Sequence, residues 1–223
     1  MRNRPVIVDL FGGVGGAAKG YQDAGFYVRS VDINPQPDSI ADEFVQADVT
    51  ELDSSFFADA VMVHAAPPCQ RDAAITRGTN KRLRHTYPDL IGPTRKILKA
   101  TGLPYVIENP AARPDVVLCG ETFGLRVIRH RNHELGNWSM KTPAHRVHRG
   151  KVIGVRHGVR IREEDGGYYY AVYGNGGYKG TVPQWKAAMG IDWTDVRKSI
   201  AEAVPPAYTR CLGAEFMKLL GKD

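Results

Sequence analysis

A thiol and a carboxylate carry the chemistry this sequence can do. Cys69 stands in the run Ala65-Ala66-Pro67-Pro68-Cys69-Gln70, and Glu108 stands in Glu108-Asn109-Pro110. Each follows a short apolar run, Ala60 to Val63 and Tyr105 to Ile107, of the kind that forms a buried parallel strand. The two prolines fix φ and remove two backbone donors, so the loop is stiff and presents Cys69 as a nucleophile would be presented. A carboxyl at a buried strand end has its pKa raised by desolvation, so Glu108 is expected to hold or deliver a proton near neutrality. Alone, Cys69 reads as an inert thiol in a proline-rich turn and Glu108 as a turn cap. The rest of the chain gives them their weight.

The elements that must position them repeat one pattern of strand, polar tip and helix. Val6-Ile7-Val8-Asp9-Leu10 is a strand-type apolar run, followed by Phe11-Gly12-Gly13-Val14-Gly15-Gly16 and a helical segment from Ala17 to about Asp23. Glycines there permit a tight turn and let backbone approach a ligand, while the helix start offers unpaired amides. The next strand, Tyr27 to Val31, ends in Asp32, an acid about 20 residues past the glycines and placed to accept from ribose hydroxyls. A third strand, Phe44 to Ala47, ends at Asp48, the fourth at the Cys69 loop, and a helix from Asp89 to Ala100 returns the chain to the fifth. This argues an α/β fold, a parallel sheet with its site at the carboxyl ends of the strands. The closing segment, Thr194 to Leu220, reads as two helices broken at Pro205-Pro206.

Charge divides the chain. Ser30 to His64 holds eight carboxylates and no Lys or Arg, whereas Arg126 to Arg162 holds ten Lys or Arg against Glu134 alone, within a net charge of +6. The second stretch is suited to phosphates. Three scattered cysteines make no disulfide framework, and no apolar run approaches the roughly 20 residues that cross a bilayer. A soluble cytoplasmic protein without membrane contact is expected. His130, His133, His145 and His148 form two His-x-x-His pairs, but arginines surround them and no cysteine pair accompanies them, so no metal site is expected. The Arg71 to Arg84 stretch reads as a basic lid, and Trp185, Met189 and Trp193 as core.

In this order and spacing the motifs resemble the DNA cytosine methyltransferases that act at carbon 5, and among them the compact, phage-type members. Asp9-Leu10-Phe11-Gly12-Gly13-Val14-Gly15-Gly16 looks like the cofactor loop, Asp32-Ile33 like the ribose-binding acid and its apolar neighbour, and Asp48-Val49 like the adenine contact. Pro67-Pro68-Cys69-Gln70 looks like the nucleophile motif and Glu108-Asn109 like the acid motif. Arg129-His130-Arg131 is similar to the arginines that hold the target base, and Ala203-Val204-Pro205-Pro206 to the last block. The resemblance implies a Rossmann-like S-adenosylmethionine-dependent methyltransferase sheet, formed by residues 1–131 and 183–223, with a small basic β lobe at 132–182 for DNA. It implies S-adenosyl-L-methionine held by Phe11, Gly12, Gly13, Gly15, Gly16, Asp32, Ile33, Asp48, Val49, Pro68 and Val204. Cys69 would add to carbon 6 of a flipped cytosine in double-stranded DNA, with Glu108 at ring nitrogen 3 and Arg129 and Arg131, two apart on a strand, at the base carbonyl. The location implied is the host cytoplasm for a phage-encoded enzyme, as monomer or dimer.

Three departures stand out. Pro110 replaces a valine, the lobe is short, and Glu202 stands where the family has asparagine, which calls for Lys198, four residues earlier, to pair with it. Two alternatives stay open. The base chemistry does not distinguish polymers, so transfer RNA is one; a catalytically silent nucleic-acid-binding module is the other.

Overall fold

The structure, a computed structural model, describes residues 4–68, 88–156, 158–174 and 178–221. Cys69 and the Arg71 to Arg84 stretch lie outside the described residues. The strands of the main sheet are β1 (Val6–Leu10), β2 (Tyr27–Asp32), β3 (Glu43–Gln46), β4 (Ala60–Ala65), β5 (Tyr105–Glu108), β6 (Val116–Leu118) and β7 (Arg131–Gly136). They lie in the order β3-β2-β1-β4-β5-β7-β6. From β3 to β5 all pairs are parallel, and β7 runs antiparallel to both β5 and β6.

Both faces are covered, which is why β1 and β4 read as continuous apolar runs instead of alternating ones. Ile7, Val28, Met62 and Val106 face one layer, where helices α1 (Gly16–Asp23) and, at the end of the chain, α5 (Pro206–Leu219) supply Ala17, Tyr21, Tyr208, Leu212 and Phe216. Val8, Leu10, Val31, Val63, Ala65 and Ile107, one residue out of phase, face the other layer and Leu98 of helix α2 (Ile91–Thr101). Helices α1 and α5 cross closely because Gly20 has no side chain: a Cβ there would meet the Pro206 carbonyl oxygen at 2.1 Å.

A second sheet, order β10-β8-β9, is built from β8 (Lys151–Arg156), β9 (Val159–Ile161) and β10 (Gly167–Tyr170). Its Ile153 and Tyr170 pack with Trp185 and Met189 of α3 (Val182–Met189), Ile200 of α4 (Arg197–Glu202) and Val14 of the glycine loop. Two expectations are corrected. The lobe boundary at residue 132 falls inside β7, a main-sheet strand, because Leu135 belongs to the core beneath that sheet. Lys198 and Glu202 form no ion pair among the described residues; both project into water, where such a pair contributes little. The chain breaks between α4 and α5 at Pro205-Pro206, as the sequence predicts. No described helix is long and apolar enough to cross a membrane.

Candidate active site at the carboxyl ends of the strands

Strand register places the candidate residues in one row. Leu10 pairs with both Val31 and Ala65, and Ala65 pairs with Ile107, so the next position on each strand brings Phe11, Asp32, Ala66 and Glu108 level across the sheet. With strands about 4.8 Å apart, Asp32 on β2 and Glu108 on β5 are separated by three spacings, about 14 Å. Between them, after β1 and β4, lie the glycine loop and Pro67-Pro68. The chain order reverses at this point of the sheet, which opens a crevice.

The glycine loop is shaped by its missing side chains. A Cβ on Gly12 would lie 1.9 Å from Ser30 Oγ, and one on Gly16 would lie 2.3 Å from the Val204 carbonyl oxygen. Gly13 and Gly15 have φ of 52° and 91°, the left-handed region, and Phe11 shares it at 60° without being glycine. The loop is tied to the strand tips: Gly12 N donates to Val31 O at 3.1 Å, and Gly13 N donates to Asp32 Oδ2 at 3.1 Å. Asp32 Oδ1 accepts from Asn34 N at 2.9 Å, so the carboxylate is oriented from both sides. Ile33, 60% exposed beside it, is an apolar surface that no described residue covers. At the tip of β3, Asp48 accepts from Thr50 N and Oγ1 at 2.8 and 2.7 Å, and these bonds hold its carboxyl below the usual range. Val49 beside it is buried.

The other side of the crevice is built around Glu108, 7% exposed. Arg131 Nε lies 2.8 Å from Glu108 Oε1 and supplies the opposite charge that a buried carboxylate requires. The contact is an ion pair, not an aligned hydrogen bond, since Oε1 has no hydrogen-bond partner among the described residues. Asn109, fully buried, donates from Nδ2 to the Pro67 carbonyl at 2.9 Å and accepts on Oδ1 from Ala111 N at 3.0 Å. This bond ties the end of β5 to the loop that leads into Cys69, and Pro68, exposed, is the last described residue before it.

The two arginines part company. Arg131 opens β7, but Arg129 precedes that strand and donates to the carbonyls of Ala201 and Val172 at 2.8 and 3.4 Å. Its own carbonyl accepts from the Tyr208 phenol Oη at 2.6 Å. Arg129 thus joins the strand entry to the closing helices and to the small sheet, whereas Arg131 meets the acid. The expectation that both project from one strand to one face is corrected, because the strand begins only at Arg131.

Sequence reading missed two features. Asp9 and His64, both fully buried, meet at 2.8 Å beneath the glycine loop, paired across β1 and β4. His133 on β7, also fully buried, has its pKa pushed down to about 3 by desolvation, with His64 adding to it. Neither could be told from other strand residues, since the partner in each case sits on another strand.

Comparison with known proteins agrees with this architecture. The sequence matches no family model and no curated protein. Among solved structures, the S. pombe Dnmt2 methyltransferase superposes with a TM-score of 0.62 at 13% identity, covering 98% of this chain and 99% of that one. The Entamoeba histolytica methyltransferase EhMeth gives 0.61 at 11% identity over 98% and 99%. Dnmt2 of Spodoptera frugiperda gives 0.58 at 13% identity over 97% and 99%. The chain has the fold of these methyltransferases. It is an α/β, Rossmann-like sheet.

Proposed function

We propose that this protein is a cytosine-5 methyltransferase of nucleic acid, with double-stranded DNA as its polymer and S-adenosyl-L-methionine as its methyl donor. The observation that carries the reading is the tie between Asn109 and Pro67, which brings the Glu108 carboxyl and the Pro67-Pro68 segment that precedes Cys69 to one end of the sheet beside the glycine loop. The residues present fit the donor. Gly12 and Gly16 leave space that a Cβ would fill with a clash, Asp32 is held with its carboxylate oriented for ribose hydroxyls, and Ile33 offers an apolar face for the adenine. Asp48 and Val49 would bound the adenine, and Phe11, Gly13, Gly15, Pro68 and Val204 would line the rest. When bound, the donor supplies an electrophilic methyl group.

The chain's own residues do the remainder. Cys69 adds as thiolate to carbon 6 of a cytosine taken out of its stack, forming the S–C bond and making carbon 5 nucleophilic. Glu108 shares a proton with ring nitrogen 3, which limits the negative charge on the ring during that attack. Arg131 holds Glu108 and lies close to where the base carbonyl would sit, and Arg129 fixes the backbone that carries it. After methyl transfer, loss of the carbon 5 proton expels Cys69 and restores the ring. The basic surface of residues 137–182, beyond β7, would hold the phosphates.

Duplex DNA carrying 5-fluorocytosine blocks the last elimination, so enzyme and methyl donor are expected to leave a denaturation-resistant complex, absent in Cys69→Ser. Persistent trapping by that variant overturns the role of Cys69. Tritiated methyl transfer compared on duplex DNA and transfer RNA decides the polymer, and incorporation into transfer RNA alone overturns the DNA reading.

A further inference from the structure

We propose that Cys119, His130, His145 and His148 form a structural zinc site that staples the 137–150 segment to the edge of the main sheet. Their four ligand atoms, the thiol sulfur and one nitrogen from each ring, lie within 4.8 Å of one another. Three of these histidines belong to the pairs that the sequence displays. The fourth, His133, points into the core, and Cys119 takes its place from eleven residues upstream of His130.

The spacing fits a tetrahedral ion. With metal–nitrogen bonds of about 2.05 Å and a metal–sulfur bond of about 2.3 Å, the edges of a tetrahedron are about 3.3 Å for nitrogen to nitrogen and about 3.5 Å for sulfur to nitrogen. Cys119 Sγ lies 3.5 Å from His148 Nε2, and His130 Nε2 lies 3.0 Å from His145 Nε2. The three rings meet mutually, with centroids 5.0 to 5.3 Å apart. Three imidazoles and one thiol so converged gain little as hydrogen-bond partners. One sulfur and three nitrogens are a donor set for zinc, and four protein ligands close the site, as in a structural centre.

Cys119 is fully buried just past β6, with the backbone N–H groups of Glu121, Thr122 and Arg129 directed at its sulfur. Three of the arginines that argue against a metal in the sequence are turned to other partners, Arg149 to Glu121 at 2.8 Å, Arg131 to Glu108 and Arg129 to backbone carbonyls, and Arg146 is exposed.

The site has a structural task. No helix or strand occurs between β7 and β8, a stretch of fourteen residues from 137 to 150, and its His145 and His148 reach back to residues flanking β6 and β7. An ion there closes that connection and fixes His130, whose neighbour Arg131 carries the contact to Glu108 and donates to the His130 carbonyl at 3.1 Å.

The test uses the full chain expressed without a histidine tag. Elemental analysis after dialysis is expected to find about one zinc per chain. Protein stripped of metal and titrated with Co(II) is expected to show the visible bands of tetrahedral cobalt and a near-ultraviolet thiolate charge-transfer band. Cys119→Ser is expected to lose that band, His145→Ala to lose most of the zinc, and Cys211→Ser to keep both. Metal removal is expected to expose residues 137–150 to limited proteolysis, with protection restored by Zn(II). Wild-type protein that neither carries zinc nor takes up Zn(II) or Co(II) overturns the site, whether or not the variants fold. Undiminished zinc in both Cys119→Ser and His145→Ala overturns the ligand assignment.

Discussion

Replacing Asn109 with alanine isolates the bond on which the active-site geometry depends. Asn109 is fully buried, and its side chain donates to the buried Pro67 carbonyl and accepts from Ala111 N. Removing it leaves the carbonyl without its donor, which costs about 1–3 kcal/mol, and loses one further bond of about 1 kcal/mol. The sum, about 2–4 kcal/mol, is large but smaller than the 5–15 kcal/mol typical of a folded domain, so the variant is expected to fold. Urea unfolding measures that loss. The kinetic consequence is separate: the loop leading into Cys69 loses its anchor to the strand carrying Glu108, and a displacement of about 1 Å between reacting groups lowers turnover by about 10²-fold. The glycine loop and Asp32 do not touch Asn109, so donor affinity by calorimetry is expected to stay within about threefold, below 1 kcal/mol. Wild-type turnover in a variant that shows the stability loss would refute the positioning role. Equal losses in donor affinity and turnover would show that the bond holds the whole crevice, not the Cys69 loop.

Three other expectations follow from the same geometry. Asp32→Ala removes the carboxylate that Gly13 N and Asn34 N orient, and is expected to weaken S-adenosylmethionine binding by about 1.5–3 kcal/mol, with unchanged affinity in a folded variant counting against the assignment. Gly16→Ala drives a Cβ into the Val204 carbonyl and is expected to destabilise by about 1–3 kcal/mol and to impair donor binding, whereas alanine at Gly92, where nothing lies within 4 Å, is expected to do neither; equal thermal shifts would refute the close-approach argument. His133 is neutral when folded, with a pKa of about 3, against about 6.5 unfolded, so its contribution is complete above the unfolded value and is lost as pH falls towards 3, at up to about 1.4 kcal/mol per pH unit. His133→Phe, which keeps a ring against Tyr208, is expected to flatten the decline in stability between pH 6.5 and 4.5, and an unchanged slope would place the acid sensitivity elsewhere.

Much of the architecture was readable in the chain because it rests on local rules. Apolar runs ending at Leu10, Pro67 and Glu108 mark strands buried on both faces, the half-apolar runs ending in Asp32 and Asp48 mark the outer strands, and the glycines after Leu10 mark a turn where a Cβ has no room. Those features place Asp32 and Glu108 at strand tips without reference to any other segment. The register that makes the tips level, the antiparallel insertion of β7 between β5 and β6, and the separation of Arg129 from Arg131 are products of pairing across the sheet. The same holds for the buried Asp9–His64 contact and for Asn109 on Pro67, whose partners are 55 and 42 residues away in the chain. The histidine pairs show the limit most sharply. Spacing alone groups His130 with His133, yet alternation along β7 turns His133 into the core, while the fold brings Cys119 and the 137–150 segment to His130. Periodicity determines which way a side chain faces along its own strand. Only packing determines what it meets there.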